Sequence, residues 1–287
     1  MKCFPFLSTV LDEIWNQLPG TDKDRLAAVR SKESYLHGEY PKLTAPRTAI
    51  DYSDPSTRYA YICCYVASHA NMVTQLIGQN PEICKLFKQD SVKITCLGGG
   101  PGSDLLGILK HVETSEENMK AAEQDFEPVH LKFYLYDGEP AWSDAWGDVD
   151  EKISRNISTY FQHFDVSKPK SYSGNSKYLS SDLFTMVYFV SEVYSCRTLA
   201  EPFFRNLFAR AKPGALFLFV DNASAVFFDW FDSLYAGAGL DVLKKSDGVT
   251  LGLPGDEQKS DLKEHFYRIS GFPKINGRVA YRVLRKK

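Results

Sequence analysis

The hydrophobic positions of this chain change rhythm near residue 90. Before it, apolar residues recur at helical spacing in "LSTVLDEIWNQL" (7–18) and in "STRYAYICCYVASHANMVTQLIG" (56–78), a segment that Pro55 and Ser56 are suited to start. The stretch between them, 34–55, is rich in Pro, Gly and Asp and reads as a loop. From Val92 onward, short apolar runs alternate with helical stretches: "VKITCL", "VHLKFYLY", "ISTYFQHF", "LFTMVYFV" and "ALFLFV", then the weaker "LDVLKK" and "RVAYRVL". Continuous apolar runs separated by helices predict a parallel sheet covered on both faces. The expected architecture is α/β: a helical N-terminal cap over residues 1–90, then a domain over 91–287. That domain is built on a mostly parallel, seven-stranded sheet with helices on both faces.

Two segments read as insertions in this alternation. Residues 113–128, "ETSEENMKAAEQDFEP", are strongly acidic, and residues 166–182, "VSKPKSYSGNSKYLSSD", are rich in Ser, Lys and Pro. No internal repeat is present. Composition adds exclusions. A chain of 287 residues with 44% hydrophobic and 14% aromatic residues has ample material for a large core, which argues against disorder. No apolar run approaches bilayer length, and Asp12 and Glu13 fall where a signal peptide needs an uninterrupted apolar core, so no membrane association is expected. Six cysteines without a CxxC pair suit reduced thiols and a cytoplasmic or nuclear location. A net charge of −2 gives no overall support for phosphate binding, although "GRVAYRVLRKK" at the C-terminus is a local basic candidate. The histidines are scattered, no cluster has metal-ligand spacing, and no metal is expected; a lone His69 reads as a packed helix residue.

The densest chemical signal is "KITCLGGGPGSD" (93–104), where an apolar run stops at four glycines and a proline and a helical pattern follows. Glycine loses more backbone entropy on folding than any other residue, so such a cluster needs a sharp turn or a ligand to justify it. Strand, glycine turn and helix in that order make the first unit of a nucleotide-binding α/β fold, in which the helix N-terminus offers free N–H groups. The dinucleotide pattern GxGxxG fails in register, and no Lys-Ser/Thr pair follows to make a P-loop. The spacing that fits is GxGxG, at Gly98, Gly100 and Gly102. A tight turn without a ligand is the alternative reading.

At these residues the chain resembles the class I S-adenosylmethionine (AdoMet)-dependent methyltransferases, whose Rossmann-like fold carries acidic-x-Gly-x-Gly-x-Gly at this place. Cys96 stands where many members have Asp or Glu. The resemblance implies AdoMet as cofactor. It gives Asp137, at the end of "LKFYLYDG", to the ribose hydroxyls, and Asp165 with Val166, after the third strand, to the adenine. Asp137 and Asp165 can also be read as ordinary strand-end residues, and Asp182 reads as structural. "DLFTMVYFVSEVYS" and "FFRNLFARAKPGALFLFVDNASA" are similar to the fourth and fifth strands of the same class, with the Lys-Pro-Gly turn between them. More distantly they resemble the methyltransferase family that includes fungal 25S ribosomal RNA uridine-N3 methyltransferases. Ser191 to Ser195 and Val220 to Ser224 match its motifs, which makes Ser191 a cofactor contact and rRNA processing a candidate role.

Other acceptor chemistries lack their marks: there is no (Asp/Asn)-Pro-Pro-(Tyr/Phe) tetrapeptide and no Pro-Cys nucleophile. Methyl transfer from an activated donor depends mostly on alignment, with a base required only where the acceptor must lose a proton. Glu192, Tyr194, Asp221 and Asn222 fall at the ends of the fourth and fifth strands, where open α/β sheets bind ligands, and are the expected acceptor contacts. In the N-terminal part, Arg58 and Tyr59 sit on a helix that reads either as a half-buried amphipathic element or as a lid touching AdoMet. The expected function is methyl transfer from AdoMet to an unidentified acceptor, with an RNA base as one candidate. The alternatives are transfer to a small molecule, or a silent AdoMet-binding sensor or scaffold.

Overall fold

In the computed structural model, which describes residues 1–45, 50–174, 176–257, 259–266, 268 and 273–287, the N-terminal part is helical. Helix α1 (Cys3–Gln17) buries Phe4, Leu7, Leu11 and Ile14, spaced i, i+3, i+7 and i+10 along one face. Helix α2 (Asp22–Glu39) takes in residues 34–39, expected to be loop. Its polar sequence has no apolar stripe, but a capping box starts it: Asp24 N donates to Thr21 Oγ1 at 3.4 Å and Thr21 N donates to Asp24 Oδ2 at 3.0 Å. Helix α3 (Pro55–Tyr61) is capped by the Asp54 carboxylate, which accepts from Ser56 N at 2.7 Å. A π turn over Ile62–Val66 joins it to α4 (Ala67–Gly78), and α5 (Pro81–Leu86) follows.

The remaining elements are β1 (Ser91–Leu97), α6 (Ser103–Ala121), β2 (His130–Asp137), α7 (Trp142–Asp150), β3 (Ser158–His163), α8 (Pro169–Ser173), β4 (Leu183–Val187), α9 (Phe189–Val193), α10 (Arg197–Arg210), β5 (Leu216–Asn222), α11 (Ala225–Tyr235), β6 (Leu240–Leu251), α12 (Lys263–Phe266) and β7 (Gly277–Lys286). The seven strands form one sheet in the order β3-β2-β1-β4-β5-β7-β6. The first five strands are parallel, while β7 pairs antiparallel with both β5 and β6. This is a Rossmann-like arrangement, with the C-terminal ends of β1, β2, β4 and β5 along one edge.

Two expectations about the sheet region are corrected. Residues Glu113 to Ala121 belong to α6, so the acidic segment lengthens a helix more than it interrupts the fold. The fourth strand stops at Val187. Tyr188 adopts a left-handed φ of 54°, and the apolar Phe189 and Val190 open α9. Asp182 is structural, as expected: its carboxylate accepts from Lys93 N at 2.7 Å and pairs with Lys212, tying the start of β4 to β1 and to the turn before β5.

One hydrophobic core runs from Leu7 and Leu11 of α1 through Val73 and Leu76 of α4 to Ile94 of β1 and Ile108 of α6. A second, rich in phenylalanine (Phe184, Phe203, Phe208, Phe217, Phe219), covers the other sheet face. Residue 90 therefore marks a change of element type and not a break in packing. Helices α4 and α6 cross at Gly107, where a Cβ would fall 2.4 Å from the Ala70 carbonyl oxygen and 2.7 Å from Val73 Cβ. Thr74 Oγ1 donates to the Gly107 carbonyl at 2.8 Å across the same crossing. At the start of α1, the Glu257 carboxylate accepts from Cys3 N at 2.6 Å and Phe4 N at 3.2 Å, and is itself paired with the buried Lys110 at 2.6 Å. An anion there complements the free N–H groups and the helix dipole.

Candidate functional site

The glycine turn leaves β1 with positive φ at all three spaced positions: 66° at Gly98, 37° at Gly100 and 80° at Gly102. Their surroundings differ. A Cβ on Gly98 would lie 2.5 Å from the Phe189 ring, and one on Gly102 would lie 2.6 Å from the Trp146 ring, so these two are required by packing as well as by backbone. At Gly100 the nearest atoms to such a Cβ are 3.5 Å away on Trp142 and 3.7 Å away at Asp137 Oδ2, across a cleft. The end of β2 closes onto this turn. Gly100 N donates to Asp137 Oδ2 at 2.9 Å, and Glu139 N donates to Oδ1 at 2.9 Å. Burial raises the Asp137 carboxyl to about 6 in spite of these bonds, with Glu139 and Asp104 adding repulsion.

Tyr52, Tyr61, Trp142, Tyr188 and Glu192 complete the cleft around Gly98 and Gly100. Tyr52 stacks obliquely on Trp142 with centroids 5.1 Å apart, and its hydroxyl donates to Glu192 Oε1 at 2.8 Å. The space left for water centres is about 20 Å³, close to one water. Among the described residues, the carboxyls lining it are those of Asp137 and Glu192. Burial pushes the Glu192 carboxyl up to about 8, helped by Asp137 and Asp221 and opposed by the Tyr52 hydrogen bond. Although the residue as a whole is half-buried, its carboxyl is held by the Tyr52 hydroxyl. The folded protein therefore holds this proton more tightly than the unfolded chain. Its stability falls as pH rises from the ordinary value of 4.5 toward about 8. Glu192→Gln, which cannot ionise, is expected to raise the thermal midpoint by several degrees above pH 8. The gain should shrink toward pH 5, as read by calorimetry at both ends.

Gly98, Gly100, Asp137 and Glu192 thus come together in the structure, with Gly102 supporting the turn from behind. Asp221 is buried below the cleft and accepts from Ser191 N at 2.8 Å and Asn222 N at 2.7 Å, strapping β5 to the start of α9. Ser191 is buried in the same strap, so neither side chain faces the cleft. Tyr194 packs on Phe227 and Trp230 with Arg197 over its ring, away from the cleft. Asp165 pairs with Lys168 at 2.8 Å and Val166 is buried in the phenylalanine-rich core; neither borders the cleft. Arg58 and Tyr59 point into the N-terminal helices. Tyr59 packs on Trp15 and shares a hydrogen bond with His265 Nδ1 at 3.1 Å. Arg58 Nη1 donates to the Tyr52 and Ser53 carbonyls, each at 2.8 Å, so it acts through the segment that carries Tyr52. On α3 it is Tyr61, two residues beyond Tyr59, that faces the cleft.

A larger cavity, with about 450 Å³ for water centres, shares Tyr61 and Tyr188 with the cleft and is also lined by Asn222. Tyr61, Tyr65 and His69 reach it along one helix face at i, i+4 and i+8, through the π turn. His69 stacks on Tyr188 with centroids 4.1 Å apart at 16°. Lys274 Nζ donates to the Tyr188 hydroxyl at 2.6 Å. Sequence reasoning missed Tyr52, Trp142, Tyr188 and Lys274 as site residues. The one available signal was the 61–65–69 spacing, which reads equally as core. All six cysteines are free thiols. Among the described residues no helix is long and apolar enough to cross a membrane, and no group of acidic, His or Cys side chains is placed to hold a metal ion.

No protein-family model matches the chain, and no curated protein matches it. Among solved structures it is similar to a proposed RNA methyltransferase from Pyrococcus horikoshii, at 11% identity over 87% of this chain and 95% of that one, TM-score 0.45. It is similar to the YcgJ protein from Bacillus subtilis at 11% identity over 75% and 99%, TM-score 0.42. A third similar structure is the cyclase SpnF, at 10% identity over 75% and 80%, TM-score 0.44. Likeness this distant says nothing of the reaction.

Proposed function

We propose that the protein transfers a methyl group from AdoMet to an acceptor bound in the adjoining aromatic cavity. The observation that carries this reading is the GxGxG turn closing on Asp137 beside a cleft lined, among the described residues, by the carboxyls of Asp137 and Glu192. AdoMet, when bound, supplies an activated methyl group on a cationic sulfonium, and it also carries an ammonium. Asp137 and Glu192 hold their protons more tightly than usual because they are buried without a cation beside them, and a bound cation would favour their ionised forms. Gly98, Gly100 and Asp137 would hold the cofactor, with Glu192 beside it. The chemistry of these residues fits the group, and the roof made by Tyr52 and Trp142 must lift to admit it. With the roof down, those rings exclude water. Asp221 is committed to two backbone N–H groups, so the protein's contribution to the transfer is orientation more than proton abstraction.

Of the two acceptor classes, a small molecule suits a cavity that, among the described residues, is walled by aromatic rings with Lys274 as its lysine. RNA is favoured by a separate groove on the sheet face, where Lys93, Lys132 and Lys177 surround Tyr134 and Tyr160. Tyr160 is 51% exposed with Lys132 Nζ 5.0 Å from its ring centroid, the aromatic-plus-basic composition that binds single strands. Transfer of tritiated methyl from AdoMet into fractionated cell extract separates the readings. Label is expected in the small-molecule fraction. Label in RNA would support the ribosomal-RNA reading and with it a nuclear or cytoplasmic setting for that work. AdoMet binding with no label anywhere would leave a sensor.

A further inference from the structure

The two cavities that meet at Tyr61 and Tyr188 differ in electrical sign. The cleft at the glycine turn presents Asp137 and Glu192, whereas the larger cavity presents Lys274, with His37 also in its wall. The larger one is walled by flat rings: Tyr40, Tyr65, His69, Tyr188 and Phe227. Two polar groups in it have bonding capacity to spare. His69 is 3% exposed and its Nε2 has no hydrogen-bond partner among the described residues, while Nδ1 is matched to the Tyr61 hydroxyl at 3.4 Å. A buried ring nitrogen left in this state is costly unless a ligand or water completes it. Lys274 Nζ spends one donor on Tyr188, and an ammonium has three. Burial lowers the Lys274 ammonium to about 8 while Asp221 works the other way, which leaves it cationic at neutral pH. His69, buried and facing that cation, is held well below its ordinary value and stays neutral.

We propose that this cavity binds a planar aromatic anion, such as an aromatic carboxylate or phenolate, with its ring among Tyr40, Tyr65 and Phe227 and its anionic oxygen on Lys274 and His69 Nε2. Taking that ligand as the methyl acceptor rests on the methyltransferase reading above; the binding itself does not. Flat walls select a planar ring by stacking. Lys274, the one lysine among the described lining residues, selects one negative charge. Opposite signs on the two sides of Tyr188 also sort the ligands, a cation into the acidic cleft and an anion into the basic cavity.

The test is a fluorescence titration of the full chain with 2-naphthoate, without AdoMet, against the neutral isostere 2-naphthalenemethanol. Naphthoate is expected to bind at least tenfold more tightly than the alcohol. Lys274→Met is expected to erase that preference, weakening naphthoate about 10–100-fold, the loss for one charge-assisted contact, and shifting the alcohol by about threefold at most. Equal affinity for the two probes in the wild-type protein overturns the proposal, and that comparison decides the matter even if Lys274→Met does not fold. Tighter, salt-sensitive binding of a uridine oligonucleotide that displaces naphthoate also overturns it, in favour of RNA. Gly100→Arg should leave naphthoate binding intact. A protein that binds naphthoate but never AdoMet would keep this site and sink the methyltransferase reading alone.

Discussion

Gly100→Arg is expected to abolish AdoMet binding in a protein that still folds. The reasoning depends on how the three spaced glycines differ. Any side chain at Gly98 or Gly102 strikes an aromatic ring at 2.5 or 2.6 Å, so substitution there damages the fold first. At Gly100 the nearest atoms stand 3.5 Å away, and a long side chain can extend into the cleft between Trp142 and Asp137. The φ of 37° costs about 1–2 kcal/mol for a residue with a Cβ, which a domain of ordinary stability survives. A guanidinium there also pairs with Asp137 and replaces the carboxylate field that suits a sulfonium. Calorimetric titration should show micromolar binding by the wild-type chain and a loss of at least about a hundredfold, roughly 2.7 kcal/mol, in the variant. Unchanged affinity in a folded Gly100→Arg protein would falsify the cofactor assignment.

The largest stability effect is expected at Gly107, far from any ligand. Gly107→Ala places a methyl 2.4 Å from the Ala70 carbonyl oxygen, backbone that cannot rotate away, so α4 and α6 must separate. Overpacking of this kind costs about 1–3 kcal/mol and sometimes more. The Thr74–Gly107 hydrogen bond across the crossing is strained or lost as well, so a fall of about 3 kcal/mol in urea unfolding is expected. Ala70 follows His69 directly, so the displacement should also weaken 2-naphthoate while leaving AdoMet nearly untouched. A change under about 1 kcal/mol would mean that the two helices are less tightly coupled than their contact implies.

The sheet was legible in the sequence because each buried parallel strand is a continuous apolar run, and a glycine cluster after the first of them has few structural meanings. What patterning could not reach was geometry set by single residues. Helix α2 starts on a Thr21–Asp24 box and has no apolar face for periodicity to detect. The fourth strand ends at Val187 because Tyr188 turns left-handed, although "YFV" continues the apolar run unbroken. Gly98, Gly100 and Asp137 meet because they follow or end β1 and β2, whereas Glu192 reaches them from α9. Asp221 lay at a strand end too, but its two backbone partners turned it into a strap. Arg58 and Tyr59 faced the helices because the α3 face that meets the cleft carries Tyr61. Tyr52, which closes the cleft, lies in a loop that periodicity cannot orient, and Lys274 is brought to its cavity by a segment between β6 and β7 with no pattern of its own.

The carboxylate that closes the first turn of α1 comes from Glu257, 254 residues further along the chain than the Cys3 amide it accepts. During synthesis the first turn of α1 is therefore made 254 residues before the carboxylate that caps it. Until Asp256 and Glu257 emerge, the Cys3 and Phe4 amides lack their acceptor and Lys110 lacks both of its carboxylate partners. Contacts of such long sequence separation slow folding and lengthen the exposure of apolar segments. The cap of α1 can therefore form only after β1 to β6 have all been made, since Glu257 follows β6 in the chain.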